Sequence, residues 1–85
     1  MRVEWTTRSL KQMKKLKDQQ IIRRLYQKGE TLKNFPNVPG VKALINHPYP
    51  YRLRVGDYRL FFSIKDDKLE IIQIEEVKKR DERTY

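Results

Sequence analysis

Residues 51–64, Tyr51-Arg52-Leu53-Arg54-Val55-Gly56-Asp57-Tyr58-Arg59-Leu60-Phe61-Phe62-Ser63-Ile64, read as two strands joined by a tight turn at Gly56-Asp57. Successive side chains of a strand point to opposite faces, so Tyr51, Leu53 and Val55 share one face and Arg52 and Arg54 the other. The second strand repeats the division, with Tyr58, Leu60, Phe62 and Ile64 as its apolar set and Arg59, Phe61 and Ser63 opposite. Three arginines therefore gather on one sheet surface. Like charges on neighbouring strands repel, and a polyanionic ligand supplies a reason for gathering them. The apolar face is expected to cover helices.

Downstream, Asp66-Asp67 makes the next turn, and the isoleucine-rich run from Leu69 to Val77 predicts a third antiparallel strand. Its alternation slips at Ile71-Ile72, which predicts a bulge or burial on both faces. Lys78, Lys79, Arg80 and Arg83 follow that strand beside the arginine surface, and Tyr85 comes after them. Upstream, Phe35-Pro36-Asn37-Val38-Pro39-Gly40 and His47-Pro48-Tyr49-Pro50 hold all 4 prolines and form the main connecting loop. Val41 to Ile45 between them suits either an edge strand or one helical turn.

The opening residues 2–6 alternate as a short strand, after which Thr7 or Ser9 caps a helix carrying Leu10, Met13 and Leu16 and ending near Asp18. A second helix follows, with Ile22, Leu25, Tyr26, Gly29 and Leu32 on one stripe; Gly29 costs helix propensity but permits close packing. The expected class is α+β in the order β-α-α-β-β-β: a short N-terminal strand, a helical hairpin and a three-stranded antiparallel meander. Residues 1–85 are expected to form a single domain.

Composition limits the function. The 85 residues carry a net charge of +9 with 38% hydrophobic residues, enough for one small core and little more. A chain this short gains stability by docking a partner. Its 0 cysteines remove disulfides, thiol catalysis and cysteine-held zinc together, and point to the cytoplasm. No apolar run approaches a membrane span, so no membrane partner is expected. Residues 1–34 carry +7 of the charge and residues 35–85 only +2. Such an excess attracts nucleic acid through counterion release, although a lysine-rich helix face also serves solubility. The lone His47 reads as a polar loop residue, without partners for a metal site. Trp5, Tyr51, Tyr58, Phe61 and Phe62 suit either base stacking or the core, and only Phe61 shares the arginine face. No phosphate-binding glycine loop, paired-carboxylate pocket or nucleophile elbow is present, and neither a cofactor nor a metal is expected.

The run from Tyr51 to Arg59 (YRLRVGDYR) and the ending Val77-Lys78-Lys79-Arg80-Asp81-Glu82-Arg83-Thr84-Tyr85 resemble the RelE/ParE toxin superfamily. The resemblance covers nearly the whole chain. In the RelE branch, it implies a toxin of a type II toxin–antitoxin system, an endoribonuclease that cleaves mRNA in the A site of the 70S ribosome without a metal. A cognate antitoxin neutralises it, and operator DNA is met only through that antitoxin. Carried over by position, Arg52, Arg54, Arg59, Arg80 and Tyr85 are the implied catalytic set, with Lys78, Lys79, Arg83 and Phe61 binding RNA. Guanidinium groups stay protonated, so proton transfer falls to Tyr85 or to a group of the ribosome. The ParE branch shares the fold but acts on DNA gyrase. A degenerate toxin serving only as an antitoxin-binding module is the third reading.

Overall fold

In the computed structural model, which describes residues 1–66 and 71–80, strand β1 (Arg2–Trp5) passes into helix α1 (Thr7–Lys14) through one extended residue, Thr6. The Thr6 hydroxyl oxygen accepts the Ser9 N–H at 3.1 Å, so the cap is Thr6 rather than Thr7 or Ser9. Ser9 is instead fully buried, donating its hydroxyl to the Thr6 carbonyl. The helix stops at Lys14, short of Asp18, because Asp18 caps the next helix, α2 (Gln19–Glu30), accepting from the Gln20 and Ile21 N–H groups. A short carboxylate that competes for backbone N–H groups starts a helix better than it prolongs one. A 3₁₀ turn (Thr31–Asn34) extends α2. Among the described residues, no helix is long and apolar enough to cross a membrane.

Strands β2 (Val41–Ala43), β3 (Tyr51–Val55), β4 (Tyr58–Asp66) and β5 (Ile71–Lys79) join β1 in one sheet of order β1-β5-β4-β3-β2. The class is α+β as expected, and the choice left open at Val41 resolves as an edge strand antiparallel to β3. β1 lies parallel to β5, so the two halves of the chain close one sheet. Gly56, at φ +58°, turns β3 into β4, and Val55 and Tyr58 face each other across it.

Two boundaries differ from the sequence reading. Asp66 remains in β4, in register with Ile71, and β5 runs on to Lys79, so Lys78 and Lys79 are strand residues and do not follow the strand. The β4–β5 register shifts between Phe61 and Phe62 and again between Ile64 and Asp66. The second shift falls opposite Ile71 and Ile72, where the alternation slips, and both are buried. Asp67, Leu69, Arg83 and Tyr85 lie outside the described residues.

The core forms where α1 and α2 meet the sheet. Met13, Leu25 and Leu32 pack with Leu53, Val55, Leu60, Phe62, Ile72, Ile74 and Val77. The inner stripe of α2 is Ile21, Leu25, Gly29 and, one turn on, Leu32; Ile22 flanks it, so Ile21 takes the packing place expected of Ile22. Gly29 is a contact point: a Cβ there would stand 2.4 Å from the Trp5 ring. β1 pairs only with residues 71–74 of β5, and α1 covers the β5 edge beyond it, where the Gln12 side-chain carbonyl accepts the Val77 N–H at 2.6 Å.

Candidate nucleic-acid interface

Strand register decides which side chains share the outer face. Arg54 stands directly opposite Arg59, Arg52 opposite Phe61, and Lys78 opposite Arg59 on the other side. Facing partners in a sheet point the same way, so Arg52, Arg54, Arg59, Phe61 and Lys78 form one surface. The other face holds the core. Lys79 pairs with Tyr58 of the core-side set, so of the two lysines only Lys78 belongs to the arginine face by register. Arg80 is brought in differently: its backbone N–H donates to the Asp57 carbonyl at 2.6 Å, tying the segment after β5 to the Gly56-Asp57 turn.

Arg59 is the centre of this surface. It is partly buried, and that burial, followed by the nearby charges of Arg52, Arg80 and Arg54, lowers its pKa from the ordinary guanidinium value. The guanidinium remains a cation at neutral pH. The part of that lowering owed to the three neighbouring arginines reflects a local positive field, which a phosphate would relieve. Arg52 is held in place as well, donating from Nη1 to the Gly40 carbonyl at 2.9 Å, and the same oxygen accepts the Arg54 N–H. Gly40 adopts φ +88°, a conformation that favours glycine.

The loop between β2 and β3 folds back over one end of this face. Asn46, at φ +54°, turns it, and the His47 ring stacks on Phe61 with centroids 4.8 Å apart and planes within 17°. Tyr49 packs against Phe61 from the side at 5.8 Å. Phe61 is therefore on the expected face but only 7% exposed, with no open ring face of its own to offer a base. The Tyr49 N–H donates to His47 Nδ1 at 3.1 Å. Its hydroxyl hydrogen-bonds Glu76; burial and that carboxylate keep the phenol pKa raised, against the opposing pull of Arg8. Glu76 also accepts from Gln12 at 3.2 Å and pairs with Lys78 at 3.6 Å, so α1, the loop and β5 are bound into one support.

Together His47, Arg59, Phe61, Val77, Lys78, Lys79 and Arg80 line an open groove of about 610 Å³. Its chemistry is cationic with an aromatic wall, suited to a phosphodiester chain rather than to a lone anion. Of the residues singled out in the sequence, Arg59, Arg80, Lys78, Lys79 and Phe61 line the groove, Arg52 and Arg54 share its sheet face by register, and Arg83 and Tyr85 lie outside the described residues. His47 and Tyr49 were missed as parts of the site. The signal available was their place in a proline-bounded loop adjoining the arginine hairpin, since loops on a rigid scaffold commonly carry function.

Residues 3–83 match the family model of the ParE toxin of the type II toxin–antitoxin system, parDE. Among solved structures, the chain is similar to the archaeal RelE–RelB complex from Pyrococcus horikoshii OT3, at 28% identity and a TM-score of 0.74 over 95% of this chain and 96% of that one. It is also similar to the toxin–antitoxin complex RelBE2 from Mycobacterium tuberculosis, at 26% identity and a TM-score of 0.76 over 93% and 96% of the two chains. The isolated E. coli RelE toxin shares the fold, at 21% identity and a TM-score of 0.72 over 94% of this chain and 84% of that one. A search of curated proteins finds no significant match. A family match spanning nearly every residue, on a fold shared with these toxins, makes the chain a member of the RelE/ParE superfamily and a toxin of a type II toxin–antitoxin system.

Proposed function

We propose that the chain is a metal-independent endoribonuclease that cleaves mRNA in the ribosomal A site and so stops translation. The observation that carries this reading is the convergence of the charges of Arg52, Arg80 and Arg54 on the partly buried Arg59, which itself lines an open cationic groove with Lys78 and Arg80. In the reaction, a ribose 2′-hydroxyl attacks the adjacent phosphorus. The new 2′-oxygen–phosphorus bond closes a cyclic phosphate, and the 5′-oxygen of the next nucleotide leaves, taking a proton. Charge accumulates on the non-bridging oxygens in the transition state, where fixed guanidinium donors stabilise it most. Arg59 and Arg80 take that role, and Arg52 and Arg54 position the strand. Tyr85, whose place in the chain matches the family's C-terminal tyrosine, is assigned the proton transfer, with a ribosomal group as the alternative. The similarity to complexes of RelE with RelB supports a cognate antitoxin as the neutralising partner.

The match to the ParE family model favours a second reading, binding to DNA gyrase without nuclease activity. Purified protein added to mRNA-programmed 70S ribosomes, and separately to gyrase with relaxed plasmid, separates the two. The ribonuclease reading expects message cut to cyclic-phosphate ends and unaffected supercoiling. Intact message with blocked supercoiling would replace it by the gyrase reading.

A further inference from the structure

We propose that the His47 imidazole is the stacking platform for one unstacked base of a single-stranded RNA whose phosphates lie along Arg59, Lys78 and Arg80; this rests on the ribonuclease reading and adds the strand form of its ligand. One ring face of His47 lies on Phe61, 4.8 Å away and nearly parallel. The residue is nevertheless exposed, and it lines the same groove as the three cations. The ring is held ready. Its Nδ1 accepts the Tyr49 N–H at 3.1 Å, and the Tyr49 hydroxyl is tied to Glu76 on β5. An aromatic face beside a cationic track is how proteins hold single strands: the track takes phosphates, and the ring takes a base of any identity. A duplex keeps its base faces covered and cannot use such a ring, so the geometry selects a single strand. Phe61 serves from beneath, as the floor that fixes the height of the platform.

The test uses the full chain and a short oligoribonucleotide that is 2′-O-methylated throughout, so that it binds without being cut, and carries 2-aminopurine at one position after another. His47→Phe keeps a flat ring, whereas His47→Leu keeps Phe61 covered without one. Both lose the Nδ1 hydrogen bond, so the difference between them reads the ring alone. Wild type is expected to quench 2-aminopurine at one position. His47→Phe should do the same with affinity within about threefold, and His47→Leu should lose the quench and bind about 5- to 100-fold more weakly. Circular dichroism should be the same for all three. Equal quench and affinity in His47→Leu would overturn the platform while leaving the ribonuclease reading intact. Equal loss in both variants would also overturn it, because the nitrogens and not the ring would then matter. Failure of wild type to bind the oligonucleotide would overturn this proposal, whereas the ribonuclease reading stands or falls separately on cleavage of ribosome-bound message.

Discussion

Arg59 carries three other arginines in its field, and its removal should be felt in the transition state before it is felt in the fold. Arg59→Ala and Arg80→Ala are each expected to lower RNA cleavage by about 100- to 1000-fold, measured as single-turnover rates on ribosome-bound message. Circular dichroism should stay unchanged, because neither side chain belongs to the core. Glu76, opposite Phe61 on the same sheet face, ties Lys78 and Tyr49 together. Burial opposes ionisation of its carboxyl, but hydrogen bonds from Tyr49 and Gln12 and the charges of Lys78 and Arg8 outweigh it, leaving the pKa below the ordinary 4.5. A carboxylate held down in the fold contributes stability that is complete above its unfolded pKa and fades as pH falls through the folded one. Glu76→Gln should therefore cost about 1 kcal/mol near pH 7 and remove that part of the loss of stability below about pH 4.5, read by urea unfolding across the range. The arginine face was legible in the sequence because a two-residue hairpin fixes register, and register fixes which side chains meet. His47 was not, because its place depends on a loop turned at Asn46, for which no periodicity exists.

Helix α2 approaches β1 tightly at Gly29. Gly29→Ala would gain about 1 kcal/mol in helix propensity, yet it places a methyl 2.4 Å from a Trp5 ring that is itself packed against Tyr26. Overpacking of that kind costs about 1–3 kcal/mol, so a net loss of up to about 2 kcal/mol is expected by thermal or urea unfolding. The helical stripe was readable in part: Leu25, Gly29 and Leu32 lie on it as expected, but Ile21 replaces Ile22, and Tyr26 is exposed, with its ring against Trp5. Lys78 and Lys79 were read as lying beyond the strand because the apolar run ends at Val77. They are strand because Arg59 and Tyr58 of the hairpin still offer pairing partners there. Val41–Ala43 was undecidable locally, since three residues carry too little pattern, and it is the neighbouring β3 that makes them extended.

Over the whole molecule, a +9 chain with one small core combines a cationic groove on one sheet face with two helices on the other. Lys14, Lys15, Arg23 and Arg24 on those helices are all exposed, and an acidic antitoxin docking there would bury apolar surface while meeting their charge. Reversing those four charges is expected to slow association with the cognate antitoxin by about tenfold or more at low salt, measured by stopped flow, and to leave RNA cleavage as it was. The proposed cleavage of message at the arginine groove is read by inducing the wild-type chain and Arg59→Ala in cells and mapping RNA 5′-hydroxyl ends. Wild type should produce new ends within translated messages and Arg59→Ala should produce almost none; an absence of new ends in wild type while growth still stops would contradict it.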